Sequence, residues 1–119
     1  MSKVSCIIPA YNEGPRIENV LRTVYKHPLV DEVIVVNDHS SDNTSEVVAK
    51  FPDIKLIIHD VNKGKSRAVV TGINEAVGDI IILLDADLVG LTPDNISNLV
   101  RPVVLDEADI SFSVRHIFP

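Results

Sequence analysis

The sequence predicts an α/β fold built on a mainly parallel sheet. Apolar segments of strand length alternate with segments of helical periodicity along most of the 119 residues. The strand segments are short, continuous and rich in Val and Ile, as strands buried on both faces of a parallel sheet are. At roughly 30 residues per βα unit, the chain accommodates four units in a single domain, residues 1–119. With right-handed crossovers, these units form a Rossmann-like three-layer α/β/α sandwich.

Four apolar segments are the predicted strands. They span Val4 to Ile8, Glu32 to Val36, Ile54 to Ile58 and Asp79 to Leu84. A later segment, Ala108 to Val114, alternates apolar and polar residues, which favours a strand at an edge or with one wetter face. The single cysteine, Cys6, lies in the first strand and is expected to be a small core residue in a reducing compartment.

Four helical segments separate the strands, each with apolar residues on one face. They begin near Gly14, after Asn43, at Lys65 and at Thr92, and are predicted to end near Val24, before Pro52, near Ala76 and at Pro102. The third helix has small residues, Ala68 and Gly72, on its apolar face, so we expect it to approach the strands closely. Pro102 is predicted to break the fourth helix because proline lacks the backbone N–H.

Polar residues follow every predicted strand, at the sheet edge where ligands bind in such folds. These loops are Pro9 to Glu13, Asn37 to Asp42, His59 to Lys65 and Asp85 to Asp87. No G-x-G-x-x-G follows the first strand, which disfavours a dinucleotide, and a phosphate loop ending at Gly64 would need glycine in place of His59. The four histidines lack paired spacing, so they are interpreted as surface or loop residues and zinc has little support.

Asp85 and Asp87 are the strongest local signal for a site. Residues i and i+2 at a strand end point the same way, which brings their carboxylates together. At about 4 Å and an effective dielectric near 20, two like charges repel by about 4 kcal/mol, so a proton or a cation neutralises the pair. Mg²⁺ or Mn²⁺ would leave coordination positions open for the oxygens of a diphosphate. The alternative is that both acids cap a solvated turn.

Three further side chains could recognise a nucleotide, and each has an ordinary structural alternative. The ring of Tyr11 can stack on a nucleobase or pack within its loop. Asp38 can accept a hydrogen bond from a base or ribose, or cap a helix; because the polar residues after it could do the capping, it is interpreted as the freer carboxylate. Lys65, at a helix start, can contact a phosphate or remain a solvated surface lysine.

Composition excludes several functions. With 11 Lys and Arg against 17 Asp and Glu, the net charge of −6 is the wrong sign for nucleic acid. The longest aliphatic run, Ile80 to Leu84, is far shorter than the about 18 residues of a membrane span, and no signal peptide is evident. We therefore expect a cytoplasmic protein with no transmembrane segment in this chain. No G-x-S-x-G elbow supports a nucleophilic hydrolase.

Four motifs occur in one order along the chain. They are Val4 to Glu13 (VSCIIPAYNE), Val35 to Thr44 (VVNDHSSDNT), Asn62 to Ala76 (NKGKSRAVVTGINEA) and Gly78 to Leu88 (GDIIILLDADL). Together they resemble the nucleotide-sugar-binding half of family 2 glycosyltransferases of the GT-A fold, over residues 3 to about 115. The resemblance implies an enzyme that transfers a sugar from a nucleotide-diphosphate sugar, a UDP- or GDP-sugar, to an acceptor it does not identify, with Mg²⁺ or Mn²⁺ as cofactor.

The resemblance also implies which residues bind the donor. They are Pro9, Ala10, Tyr11, Glu13, Asp38, Lys65, Asp85, Ala86 and Asp87. Within this set Tyr11 would lie against the base, Asp38 would read a base or ribose edge and Lys65 would lie near the phosphates. Asp87 is the foremost metal ligand, with Asp85 beside it and nearer the ribose.

Two departures from the family pattern affect this interpretation. The family commonly has Asp-Asp-Gly-Ser where this chain has Asn37 to Ser40, so one carboxylate is lost and a glycine becomes His39. Family members also continue into an acceptor-binding half that supplies the catalytic base in inverting enzymes. Asp106, Glu107 and Asp109 fit no motif for that base, so the chain is interpreted as a donor-binding core truncated before that half, and the base is not assigned.

Two other functions remain as alternatives. A nucleotide-sugar-binding module without catalysis would use the same residues. A phosphatase of the haloacid dehalogenase type would use Asp85 as nucleophile and Asp87 as general acid, but it needs a later lysine and none follows Lys65. A lipid-carrier acceptor would make the glycosyltransferase peripheral to a membrane.

Overall fold

The computed structural model describes residues 3–104 and 110–112 and contains five strands and four helices. The strands are β1 (Val4–Ala10), β2 (Glu32–Asn37), β3 (Lys55–Ile58), β4 (Ile80–Leu83) and β5 (Ile110–Phe112). The helices are α1 (Gly14–Val24), α2 (Thr44–Val48), α3 (Lys65–Glu75) and α4 (Pro93–Val104). The strand order is β3-β2-β1-β4-β5, and all neighbouring strands are parallel. The predicted parallel α/β fold is therefore confirmed.

Helices cover both faces of the sheet, as the three-layer prediction requires. The larger core contains side chains of β1, β2 and β4 with those of α1, α2 and α4. A smaller cluster on the other face joins Ile34 and Val36 of β2 to Ala68 of α3. Cys6 is fully buried in the larger core as expected, and burial raises the pKa of its thiol. Among the described residues, no helix is long and apolar enough to cross a bilayer.

Small residues bring α3 against the sheet, as the sequence predicts. Ala68 is fully buried, and a Cβ added to Gly72 would lie 2.5 Å from Cγ2 of Ile7 in β1. No side chain fits in that gap, so this close approach requires glycine. The approach positions the amino end of α3 over the carboxyl ends of β1 and β2.

The structure corrects the boundaries of three elements. α2 ends at Val48, before the predicted end at Pro52. Pro102 does not break α4, which continues to Val104. A proline in the last turn of a helix removes only one backbone hydrogen bond, and few bonds follow it. β1 continues past Ile8 through Pro9 and Ala10, which pair with β2. The strand tolerates Pro9 because β4 pairs with β1 only as far as Ile7.

The predicted strand Ala108 to Val114 is observed in part. Ile110–Phe112 form β5, which lies at the sheet edge beside β4. Its flanking residues, and the acids Asp106, Glu107 and Asp109, lie outside the described residues.

Candidate functional site

One cleft at the carboxyl end of the sheet contains every donor-binding residue proposed from the sequence. It has a volume of about 150 Å³, is open to solvent, and is lined by Pro9, Ala10, Tyr11, Glu13, Asp38, Lys65, Ala68, Asp85, Ala86 and Asp87. Ala68 is the one lining residue that sequence reasoning did not single out for the site. The others converge because β2, β1 and β4 are parallel neighbours whose carboxyl ends meet at one edge.

The loops after β1 and β2 are joined to each other on one side of this cleft. The backbone N–H of Asn12 donates to Oγ of Ser40 at 2.9 Å, and the N–H of Ser41 donates to Oδ1 of Asn12 at 2.8 Å. Tyr11 lies between these contacts and β1, with 51% of its surface exposed. Its ring is therefore available to a ligand that enters the cleft.

Asp42 connects the amino ends of α1 and α2, as its position among the predicted capping residues suggests. Its carboxylate accepts the backbone N–H of Gly14 and the N–H of Thr44, both at 3.0 Å, and also the Thr44 hydroxyl. Burial raises the pKa of Asp42, but these donors outweigh it and hold the pKa below its ordinary value. This carboxylate stabilises the loop and does not line the cleft.

Asn37 stands where the family commonly has a carboxylate, and its side chain also serves the loop. It is buried, accepts the N–H of Ser40 at 2.9 Å and donates to Oγ of Ser45 at 2.7 Å. Asn37 is not among the residues that line the cleft. The departure at this position therefore removes no carboxylate from the cleft wall.

Asp38 is tightly constrained by the chain, which corrects the expectation that it is freer than its neighbours. Its side chain accepts the N–H groups of Lys63 and Gly64, each at 2.8 Å, and Nδ1 of His59 lies 2.8 Å from Oδ1. The side chain of Asn62 also donates to its backbone carbonyl at 3.2 Å. Asp38 therefore holds the whole loop between β3 and α3.

The donors around Asp38 also set its charge. Burial raises the pKa of this carboxyl, but the bonds from His59, Lys63 and Gly64 together outweigh burial and lower the pKa below its ordinary value. Asp38 is thus an ionised acceptor at neutral pH. A carboxylate has about four acceptor positions, so one remains beyond the three bonds to the chain.

His27 and His59 lie in loops, as the sequence predicts, but both are buried and neither is a surface residue. His59 lies between Asp38 and Oγ1 of Thr71, with Nε2 at 2.8 Å from that hydroxyl. His27 accepts the N–H of Leu29 at Nδ1, at 3.1 Å, and its Nε2 lies 3.0 Å from the carbonyl of Pro93. His39 is exposed, and His116 lies outside the described residues.

Sequence reasoning missed His59 because its partners are distant along the chain. It is 21 residues from Asp38 and 12 from Thr71. One signal was available, since His59 directly follows β3 and so lies at the same sheet edge as Asp38.

Two loop residues beside Asp38 adopt backbone conformations that favour glycine. Gly64 has φ +94° and no atom within 4 Å of an added Cβ, so conformation and not space requires glycine there. His39 has φ 62°, in the left-handed region, at the position where the family commonly has glycine. The substitution therefore keeps a glycine-like backbone at a cost in strain.

Opposite charges meet across the cleft. Nζ of Lys65 lies 2.5 Å from Oδ1 of Asp85, whose side chain is 20% exposed. Among the described residues that line the cleft, Lys65 is the one basic side chain, against Glu13, Asp38, Asp85 and Asp87. Such a cleft repels an anionic ligand unless a further cation accompanies it.

The donor set suits a hard divalent cation that shares its shell with a ligand. Asp85 and Asp87 supply carboxylate oxygens, which Mg²⁺ and Mn²⁺ prefer. Within residues 3–104 and 110–112, no group of three His, Cys, Asp or Glu side chains forms a metal site by itself. These two carboxylates would therefore need oxygens from water or a phosphate to complete the shell.

Comparison with known proteins finds sugar transferases among the relatives of this chain. The chain is 36% identical to a dolichol-phosphate mannosyltransferase of Pyrococcus furiosus, over 97% of this chain and 34% of that protein. It is 38% identical to an undecaprenyl-phosphate 4-deoxy-4-formamido-L-arabinose transferase of Yersinia pestis, over 97% of this chain and 37% of that protein. The chain thus spans about a third of the length of these relatives.

Solved structures show the same fold. Glucosyl-3-phosphoglycerate synthase of Mycobacterium tuberculosis, in complex with Mn²⁺, UDP-glucose and phosphoglyceric acid, matches with a TM-score of 0.78 at 28% identity, over 89% of this chain and 41% of that chain. A mannosyltransferase of Pyrobaculum calidifontis, in complex with GDP-mannose and Mn²⁺, matches with a TM-score of 0.72 at 32% identity, over 84% of this chain and 32% of that chain.

A family model agrees with these relatives over nearly the whole sequence. The model described as glycosyl transferase family 2 matches residues 5–119. The GT-A resemblance of the four motifs is thereby confirmed. The chain belongs to glycosyltransferase family 2.

Proposed function

We propose that residues 1–119 form a domain that binds a UDP- or GDP-sugar together with Mg²⁺ or Mn²⁺ and provides the donor side of a glycosyl transfer. The observation that carries the proposal is the convergence of Asp38, Lys65, Asp85 and Asp87 on one cleft. Membership of the family supports it, as do the Mn²⁺ and nucleotide-sugar complexes of the two solved neighbours.

The diphosphate would lie between the two acids after β4 and the amino end of α3. A divalent cation held by Asp87 and Asp85 would offset the charge of the departing nucleoside diphosphate. Lys65, as the first residue of α3, adds its charge to the unpaired N–H groups at the helix start, which favour phosphate. Lys65 would then exchange Asp85 for a phosphate oxygen when the donor binds.

The nucleoside would lie on the other side of the cleft, toward β1 and β2. Tyr11 offers an exposed ring for stacking on the base. The remaining acceptor position of Asp38 would take an N–H of the base or a hydroxyl of the ribose. Pro9 and Ala10, both buried in β1, form a fixed wall beside them.

The acceptor and the group that deprotonates it belong to the whole protein. The names of the Pyrococcus furiosus and Yersinia pestis relatives each include a polyprenyl phosphate, which favours an acceptor with a phosphate group. A lipid acceptor of that kind would bring the protein to a membrane surface. No residue of the cleft is assigned as the catalytic base.

A nucleotide-sugar-binding module without catalysis is the second candidate, because the same cleft serves both functions. Hydrolysis of the donor sugar would distinguish the two, since a binding module leaves the donor intact. Family membership argues against the phosphatase alternative.

The test is calorimetric titration of the chain with UDP, GDP, CDP and dTDP, each with and without Mn²⁺. We expect UDP or GDP to bind, at least about tenfold more tightly with Mn²⁺. Asp87→Asn should abolish the Mn²⁺ effect, whereas Asp53→Asn, an exposed acid outside the cleft, should behave as the wild type. Failure of every nucleotide to bind, or affinities indifferent to Mn²⁺, would contradict the proposal.

A further inference from the structure

His59 is buried and is not among the residues proposed to bind the donor. Only 5% of its surface is exposed, and both ring nitrogens have partners. Nδ1 lies 2.8 Å from Oδ1 of Asp38, and Nε2 lies 2.8 Å from Oγ1 of Thr71 on α3. The ring therefore joins a cleft carboxylate to the helix that begins with Lys65.

The chemistry of the partners assigns the protons. Asp38 is ionised and can only accept, so Nδ1 of His59 carries the proton and donates it to Oδ1. Nε2 shares its own hydrogen bond with the hydroxyl of Thr71. The ring is therefore held at both nitrogens, and Nδ1 donates to Asp38.

The bonds to the chain leave one lone pair of the Asp38 carboxylate unused. Oδ1 accepts both His59 and the N–H of Lys63, which uses its two lone pairs. Oδ2 accepts the N–H of Gly64, which leaves one lone pair on an atom of a residue that lines the cleft. Rotation of the carboxylate would break three bonds at once.

We propose that His59 is a positioning residue for nucleoside recognition: it fixes the Asp38 carboxylate so that the remaining lone pair of Oδ2 meets an N–H or O–H of the nucleoside. The inference rests on the proposed function and deepens it. It predicts that His59 affects the nucleoside part of the ligand and not the diphosphate, which would lie against Lys65, Asp85 and Asp87.

The experiment compares the binding of UDP with the binding of inorganic pyrophosphate. Each ligand is titrated calorimetrically in the presence of Mn²⁺. GDP replaces UDP if the wild type binds GDP more tightly. His59→Leu removes the donor to Asp38 and should weaken nucleotide binding at least about tenfold, the typical worth of a hydrogen bond to a charged group. Pyrophosphate should bind within about twofold of the wild type, because its contacts remain.

Two milder variants keep the test informative if His59→Leu folds poorly. In His59→Asn the amide N–H₂ can replace Nδ1 as donor, so nucleotide affinity should stay within about threefold of the wild type. Thr71→Val removes only the outer hydroxyl and should weaken nucleotide binding by about twofold to fivefold. Neither variant should change pyrophosphate binding.

His27 is the matched control, because it is equally buried but bonded to Leu29 and Pro93 outside the cleft. His27→Leu should lower the Tm while leaving the ratio of nucleotide to pyrophosphate affinity unchanged. The inference is overturned if His59→Leu weakens both ligands equally, or weakens neither. If the wild type binds pyrophosphate but no nucleotide, the proposed function is wrong. The inference, which rests on that function, is then wrong as well.

Discussion

Acidic side chains gather at both ends of the parallel sheet, but the two ends use them differently. At the amino end, Glu32 accepts the Ser5 hydroxyl at 2.5 Å and the N–H of Val77 at 2.6 Å. Asp31 accepts the N–H of Val4 at 2.7 Å. All of these donors belong to the chain itself. The acids at this end therefore hold parts of the fold together.

At the carboxyl end, Asp38, Asp85 and Asp87 all line an open cleft, and Asp38 is also bonded to the chain in the way that Glu32 is. Asp38, like Glu32, is surrounded by donors from a neighbouring loop. Asp85 instead contacts the exposed ammonium of Lys65, and Asp87 lies beside it on the cleft wall. The comparison shows that an acid at a strand end indicates a ligand site only where the chain leaves room next to it.

The amino end should be the more sensitive to added volume. A Cβ at Gly78 would lie 2.4 Å from Oγ of Ser5 and 2.8 Å from the carbonyl oxygen of Lys3. Because one of these atoms is backbone, Gly78→Ala should destabilise the protein by about 3 kcal/mol, the upper range for overpacking. Urea denaturation measures this change in the free energy of unfolding.

The matched change at the other end is Gly64→Ala, which meets no atom within 4 Å but strains a backbone with φ +94°. It should cost about 2 kcal/mol and also weaken nucleotide binding, because relief of the strain shifts the backbone N–H that donates to Asp38. Gly78→Ala should not change nucleotide affinity under conditions where it is fully folded. If it reduces that affinity, the two ends of the sheet do not differ in their effect on binding.

Removal of Lys65 should have opposite effects on the affinity for the nucleotide and on the affinity for Mn²⁺. Lys65→Ala removes a charge proposed to contact phosphate, so binding of UDP with Mn²⁺ should weaken by about fivefold. Binding of Mn²⁺ alone should strengthen by about twofold, because Asp85 loses its competing ion pair. Electron paramagnetic resonance of free Mn²⁺ and calorimetry measure the two effects.

Lys63 provides the control for Lys65, since its ammonium lies 3.8 Å from Asp60 and its side chain does not line the cleft. Lys63→Ala should leave both affinities within about twofold, since an exposed ion pair contributes little. Equal effects of the two lysine variants would mean that general charge, and not a cleft contact, governs binding.

Acid should destabilise both ends of the sheet. Burial raises the pKa of Glu32, but the Ser5 hydroxyl and the N–H of Val77 outweigh it, so the pKa lies below its ordinary 4.5, and the pKa of Asp38 lies below its ordinary 3.8. A carboxyl with a lowered folded-state pKa stabilises the fold above its unfolded value, and this stabilisation is lost as pH falls through the folded value.

We therefore expect the free energy of unfolding to be steady near neutrality and to fall from about pH 5 downward. Glu32→Gln should flatten this decline while leaving nucleotide affinity at pH 7 unchanged. Thermal unfolding from pH 7 to pH 3 measures the slope. A decline as steep in Glu32→Gln as in the wild type would show that other carboxyls dominate it.

The smallest expected effect concerns the left-handed residue beside Asp38. His39→Gly relieves the φ of 62° but adds freedom to the unfolded chain, so the net gain should be about 0.5 kcal/mol. Lys26→Gly, at φ 58° near the amino end, should gain a similar amount. Only His39→Gly should alter nucleotide affinity, because only that loop continues from Asp38.

Much of the site was predictable because it lies at the strand ends, which local sequence patterns identify. Alternating βα segments identify the strand ends, and parallel strands bring those ends to one edge. Tyr11, Asp38 and the acids after β4 follow directly from that rule. The motifs then indicated the chemistry, since Asp85 and Asp87 have a spacing that points two carboxylates the same way.

The partners of Asp38 were not predictable in the same way. They lie 21 to 26 residues along the chain, and two of them are backbone N–H groups that every residue except proline carries. No residue type signals such a contact. The same holds for Pro102, whose position in the last turn of α4 depends on where the helix ends.

The sequence by itself determined the parallel α/β fold, the sheet edge that carries the polar loops and the family of the protein, because hydrophobic periodicity and motif spacing are local properties of the chain. Only the tertiary structure decided that Asp38 holds a loop as well as lining the cleft. Asp38 and Asp85 differ in their neighbours and not in their chemistry, and neighbours distant in sequence are set by packing.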